Sequence, residues 1–387
     1  MIEYLTVFQV EQRQRIVYWT PALLAGFVAL LAFTWVGNTP LLRALALAVV
    51  IVGVSLSLRR LSAPLSFFGG LALAFCPAYW QQTGGPQSIS FWWMLAFVLA
   101  AGVFALAILR FSRRLFLSVA IGVSVFVGLY LAVGITQKSL RLTTILSAWL
   151  VYMLIIALRQ TNPRPDEPAA VPLSKPHIYG VLLMLTLGIL NEPLFTLFAP
   201  GVVLGLWLSH ARLPWWYWLT LAVIVSIGGY RISQGYISPT WLHAPATAID
   251  RNVVNLPFII LDGWRDPAQW MWLTRLMMHQ FTWVGALLGI VGIARMSRWY
   301  PTLGVTLMII YASYGAFGLM YFGADLQILL MPMLIIQVIC IVYAVYAVLH
   351  WLTRRLPTTE SGALHWLANS LLLTTTAYLL VRVAVYS

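Results

Sequence analysis

Leu326–Leu349, LQILLMPMLIIQVICIVYAVYAVL, decides the fold. Only Gln327, Pro332 and Gln337 interrupt its apolar run. A membrane crossing needs about 20 apolar residues, because about 30 Å of hydrocarbon divides by about 1.5 Å of rise per residue. No period of two runs through the stretch, so it does not read as a strand of a lipid-facing barrel. With no water in the bilayer to take up backbone N–H and C=O groups, a helix is the form that satisfies them within the segment.

The rest of the chain repeats this character. Of 387 residues 61% are hydrophobic and 9% charged. Soluble domains carry about 25% charged residues, so this chain needs lipid as its solvent. Spans are expected near Tyr18–Val36, Leu41–Leu58, Pro64–Trp80, Phe91–Leu109, Leu115–Val133, Thr143–Leu158, Ile178–Leu190, Pro193–Leu208, Trp215–Tyr230, Phe281–Ala294, Thr302–Tyr321, Leu326–Leu349 and Trp366–Val381. The fold class is therefore all-α, a polytopic membrane protein of about 12 to 13 spans. The segments flanking Asn191 and Glu192 are short, and read either as two spans or as one broken unit. Gly201-x-x-x-Gly205 and Gly285-x-x-x-Gly289 are spacings that let helices approach closely. No internal repeat is visible.

Charge gives the expected orientation. The net charge of +13 is spread in short clusters between apolar runs, the pattern of cationic cytoplasmic loops and not of a nucleic-acid surface. A cytoplasmic N-terminus puts 15 bases inside, among them Arg13, Arg15, Arg59, Arg60, Arg159, Arg295 and Arg298, and leaves 8 outside. Glu3 and Glu11 precede the first apolar stretch, which is unlike a cleavable signal. Residues 1–158 form an N-terminal membrane half, the proline-rich stretch 159–176 a cytoplasmic linker, and residues 177–387 a C-terminal half with a long outer loop at 231–280. Inside that loop Asp266-Pro267-Ala268-Gln269 reads as a helix start, with Asp266 as N-cap and Pro267 in the first turn. Trp264, Trp270 and Trp272 are expected at headgroup level.

Chemistry-bearing motifs are few. The chain has two lysines, Lys138 and Lys175, and no Walker loop, His-Glu-x-x-His, Cys-x-x-Cys or glycine-rich dinucleotide turn. Span centres nearly free of charge disfavour ion-coupled transport. Cys76 and Cys340 lie in apolar segments and read as small buried hydrophobes. The histidines read as solvated or capping groups near span ends. Glu192 stands between two short apolar segments, either as a helix-end carboxylate wetted by headgroups or as the lining of an outer cavity. Asp325 reads as the N-cap of the helix that follows. Arg231 and Arg251 are suited to a lipid phosphate or to bulk headgroups.

Several stretches, taken in order, resemble a family. They are Ala74-Phe75-Cys76-Pro77-Ala78-Tyr79-Trp80-Gln81-Gln82, Gly188-Ile189-Leu190-Asn191-Glu192, Pro239-Thr240-Trp241 through Pro245-Ala246-Thr247, Gln280-Phe281 through Gly289 and Gly292, and Asp325 followed by Pro332. Together they resemble the bacterial protein-O-mannosyltransferase-like branch of the GT-C glycosyltransferases, over roughly residues 40–350. Those enzymes transfer a sugar from a polyprenyl-phosphate carrier outside the cytoplasmic membrane. The resemblance implies a multi-pass protein of a prokaryotic cytoplasmic membrane, with membrane lipids and a polyprenyl-phosphate-sugar as partners.

One departure is large. Members of the superfamily carry an acidic motif in the first outer loop, and here that loop, Gly37–Leu42, has no Asp or Glu. If transfer survives, Glu192 or Asp250 is the candidate base, and Arg231 and Arg251 the candidate carrier-phosphate ligands. Trp241, His243 and Asp325 complete the candidate substrate-binding set. No cofactor is evident; a catalytic version implies a divalent metal, whose ligands the sequence does not identify. The missing acid weighs against catalysis and favours a rival, a non-catalytic subunit of a larger complex with other membrane subunits as partners. A lipid or polyprenol transporter is a third reading.

Overall fold

The computed structural model of the protein describes residues 2–83, 91–112, 118–119, 121–123, 125–126, 140–161, 175–210, 213–236, 258–323 and 326–355. These residues are almost entirely helical. Five helices are long and apolar enough to cross a membrane: Val17–Trp35, Leu142–Arg159, Pro267–Trp299, Pro301–Met320 and Met331–Trp351. That is the make-up of a multi-pass membrane protein. Shorter apolar helices lie at Arg43–Leu58, Ala63–Ala74, Pro176–Asn191 and Pro193–Leu208. The expected span Trp366–Val381 lies outside the described residues.

In chain order the helices are α1 (Ile2–Trp35), α2 (Leu41–Leu58), α3 (Ala63–Ala74), α4 (Pro77–Trp80), α5 (Phe91–Ser112), α6 (Leu140–Thr161), α7 (Lys175–Asn191), α8 (Ala199–Leu208) and α9 (Trp215–Tyr236). They continue as α10 (Pro267–Trp299), α11 (Pro301–Met320), α12 (Leu326–Leu329) and α13 (Met331–Arg355). Short 3-10 turns occupy Pro193–Phe198 and Leu261–Arg265. Two two-residue strands, β1 (Phe258–Ile259) and β2 (Tyr321–Phe322), pair antiparallel with Phe258 opposite Phe322.

The chain forms two compact units, Gly84–Ser139 by itself and Met1–Thr83 together with Leu140–Ser387. In the smaller unit the Ser118 hydroxyl donates to the Ala105 carbonyl of α5, and Gly122 sits against Ala101 and Ala105.

The larger unit is built around α13, the stretch that decides the fold. Residues Leu329 to Cys340 are buried almost without exception, and α10 and α11 pack on this helix. A side-chain carbon on Gly292 would collide with the Cys340 carbonyl, so only glycine allows α10 and α13 to lie this close. Gln337, a polar interruption of the run, donates through Nε2 to the Gly285 carbonyl at 3.1 Å. The second glycine pair behaves alike: a Cβ on Gly201 would lie 2.7 Å from the Thr306 carbonyl oxygen. Cys76 and Cys340 are buried and free, as expected of small core hydrophobes. Between α2 and α3, Ser55 and Ser66 each donate a hydroxyl to the other's carbonyl, at 2.8 and 2.7 Å. Such pairing removes two polar groups from lipid without a charge.

Several expected boundaries shift. Pro64–Trp80 is not one helix; it breaks between Ala74 and Pro77, where the proline starts the short α4. The Tyr79 hydroxyl then donates to the Leu47 carbonyl at 2.6 Å. The end of the expected outer loop, Pro267–Gln280, and the expected span Phe281–Ala294 are one helix, α10, kinked at Thr282 (φ 62°, ψ 171°). Its start is the expected one: Asp266 accepts from the Ala268 N–H at 2.9 Å, with Pro267 in the first turn.

Arginines close helix ends of the larger unit, two of them side by side at Trp299 and Tyr300. Arg159 lies 4.7 Å over the Tyr300 ring, and Arg295 lies 4.6 Å over Trp299. Arg59 donates through Nε to the Tyr18 carbonyl at 2.9 Å and covers the Tyr18 ring at 5.6 Å.

Candidate functional site

The break at Asn191 and Glu192 is where the structure gathers polar groups from distant parts of the chain. Its local cause is Pro193. Proline disfavours helical backbone in the residue before it, and Glu192 is accordingly extended (φ −138°, ψ 115°). The Glu192 N–H still donates to the Gly188 carbonyl at 2.8 Å, the last bond of α7. Beyond it the chain turns into the 3-10 segment Pro193–Phe198 and then α8. The two short apolar segments are thus separate helices joined through a 3-10 turn.

Glu192 caps the new turn. Its carboxylate accepts from the Leu194 N–H at 3.5 Å, and the residue is 1% exposed. A carboxylate wetted by headgroups is not what the fold provides. The neighbouring Asn191 donates its amide to the Thr143 hydroxyl on α6 at 2.8 Å. From α11 the Tyr314 hydroxyl donates to the Leu194 carbonyl at 3.3 Å, and its ring lies edge-on to Phe198 at 5.4 Å.

Arg231 enters from α9. Its Nη1 donates to the carbonyls of Ile189 at 2.7 Å and Leu190 at 2.9 Å. These are among the final carbonyls of α7, which lack intrahelical donors once the helix stops. A guanidinium there also meets the negative end of the helix dipole. Gly228, one turn earlier on α9, admits the approach, since a Cβ there would collide with the Thr196 hydroxyl. Glu192 and Arg231, two of the candidate site residues, therefore belong to one joint. The other five, Asp250, Arg251, Trp241, His243 and Asp325, lie outside the described residues.

What this joint can do chemically follows from its access. A general base must come within about 3 Å of the proton it takes. Glu192 is buried, as are Pro193, Leu194 and Phe195 after it, and it spends one oxygen on a backbone N–H. Arg231 retains an exposed flank, but one of its terminal nitrogens serves two carbonyls of its own chain. Thr143 and Tyr314 were not expected from sequence at this site. Both lie in apolar helices, 48 and 120 positions from their partners, and no local spacing pairs them.

Two of the stretches quoted above, Ala74–Gln82 and the start of Gln280–Gly292, meet. The Ala78 N–H donates to Gln280 Oε1 at 2.7 Å, joining the turn after Cys76 to α10. Among the described residues, no three of His, Cys, Asp and Glu converge as a metal-ligand set. Comparison of the chain with protein-family models, with curated proteins and with solved structures finds no match.

Proposed function

We propose that the protein is a GT-C-like multi-pass membrane protein of about 12 to 13 spans, with a cytoplasmic N-terminus, in a prokaryotic cytoplasmic membrane. In this proposal its body is related to polyprenyl-phosphate-sugar transferases, and it works as a non-catalytic member of a membrane complex. The burial of Glu192 carries the second half of the proposal. The acid best placed to replace the missing first-loop motif is 1% exposed and caps a turn. Arg231 is likewise occupied with α7 carbonyls. The orientation draws on the shared end occupied by Arg159 and Arg295, both on the side assigned to the cytoplasm.

The experiment is a sugar-transfer assay on purified protein in nanodiscs, with a polyprenyl-phosphate-hexose donor and a hydroxyl-bearing peptide. No transfer is expected, and stoichiometric membrane partners are expected to co-purify in mild detergent. Transfer abolished by Glu192→Gln at unchanged thermal stability overturns the architectural role of Glu192. Transfer abolished by Asp250→Asn, and not by Glu192→Gln, returns the chain to the enzymes with its base in the outer loop.

A further inference from the structure

A second polar feature lies on the larger unit, built from none of the residues of the Glu192 joint. It is an open groove of about 240 Å³ lined by Trp272, Arg275, Leu276 and His279 of α10 and by Gln327 of α12. Arg275 and His279 stand four positions apart, so they share one face of the helix, and both are exposed. Arg275 makes no hydrogen bond or ion pair with the described residues, although other arginines of this unit are engaged with carbonyls or rings. Across the groove the Gln327 Oε1 is buried and accepts no hydrogen bond within the described residues. One wall is thus cationic, another has an amide oxygen lacking a donor, and an indole stands at the rim.

Depth decides what such a groove meets. Twenty residues separate Arg275 from Arg295, and the stretch after the kink at Thr282, Trp283 to Arg295, by itself rises about 18 Å of the roughly 30 Å hydrocarbon layer. Between them α10 shows lipid-type side chains to the outside, with Trp283, Leu287 and Ile290 all more than half exposed. With Arg295 and Arg298 at one headgroup level, Arg275 and His279, on the far side of the kink, lie toward the other, where phosphates are abundant. Exposed Trp264 and Trp270 flank the same helix start, as amphipathic rings do at an interface.

We propose that this groove is a binding site for the headgroup of an anionic phospholipid. The phosphate bonds to Arg275 and His279, a headgroup hydroxyl donates to the Gln327 amide after rotation of its terminal torsion, and the acyl chains run down the exposed face of α10. Phosphatidylglycerol has the required phosphate and hydroxyls and is the probe.

The full chain is reconstituted in nanodiscs of phosphatidylcholine containing phosphatidylglycerol, released, and weighed by native mass spectrometry with its retained lipids. Wild-type protein is expected to hold phosphatidylglycerol in preference to phosphatidylcholine. Arg275→Gln is expected to lower that retention about tenfold, the scale of losing a charge-assisted bond. Arg298→Gln, at the far end of the same helix, is expected to leave it within about twofold, and Arg275→Lys to restore part of it. His279→Gln, expected to lower retention severalfold, serves as the second variant should Arg275→Gln fail to fold. Equal retention of the two lipids, or equal loss in Arg275→Gln and Arg298→Gln, overturns the site. Displacement of the lipid by soluble glycerol 3-phosphate at the same concentration assigns the groove to a free phosphate ester and overturns the lipid.

Discussion

Glu192 and Arg231 illustrate how a polar residue in an apolar chain can be consumed by architecture. The proline at 193 both ends α7 and forces an extended residue before it, which creates orphan carbonyls on one side and orphan N–H groups on the other. Arg231 answers the first and Glu192 the second. Glu192→Ala is expected to destabilise the protein by about 1 kcal/mol, the scale of a lost N-cap, with Glu192→Gln closer to wild type. Unfolding in mixed micelles measures both. Arg231→Ala removes two charge-assisted bonds and is expected to cost about 2 kcal/mol, while Arg231→Lys recovers part of it, because one ammonium can donate to both carbonyls but sits on a more flexible stem of different reach. Matched stabilities for Arg231→Ala and wild type would remove Arg231 from the joint.

At the scale of elements, α10 combines two features. Thr282 adopts φ 62° and ψ 171° inside the helix, a region that essentially only glycine occupies without strain, at a cost of about 1 to 3 kcal/mol. Its cause is visible on either side: Gln280 is held by the Ala78 N–H, and Gly285, Gly289 and Gly292 face α13. The two halves of α10 are anchored to different partners, and the strain falls between them. Thr282→Gly is therefore expected to raise stability by about 1 kcal/mol, read from the same unfolding curves; a lower stability would mean that the kink is not strained. Gly292→Val is expected to be among the most damaging single changes, since its side chain meets the Cys340 backbone and not a movable side chain. Loss of the folded monomer on size-exclusion chromatography checks it.

For the whole molecule, the two cysteines offer a test that leaves the natural sequence intact. Cys76 and Cys340 are each 0% exposed, so a membrane-impermeant maleimide is expected to label neither until the protein is unfolded. Modification of Cys340 in the folded protein in intact nanodiscs would contradict the packing of α13 against α10, and modification of Cys76 the closure of the turn between α3 and α4. On that silent background, single cysteines beside Arg59 and in the outer segment before α10 report orientation. Reactivity from opposite sides of sealed vesicles is expected for the two.

The apolar run at Leu326–Leu349 and the scarcity of charge were enough, by themselves, to determine an all-helical membrane protein. Hydrocarbon leaves the backbone no partner but its own chain. Local chemistry was legible wherever the cause was local: the Asp266–Pro267 helix start, the close-packing glycines and the buried cysteines all follow from neighbours within a few residues. Tertiary structure decided the rest. Glu192 was as compatible with a wet helix end as with a cavity until Pro193, Arg231, Thr143 and Tyr314 were brought around the same break. A one-residue polar interruption in an apolar helix carries no periodicity that names its partner. Partner choice depends on which helices touch, and in lipid that is set by small residues and single hydrogen bonds instead of a hydrophobic pattern. The groove of Arg275, His279 and Gln327 likewise exists only because α12 packs beside α10.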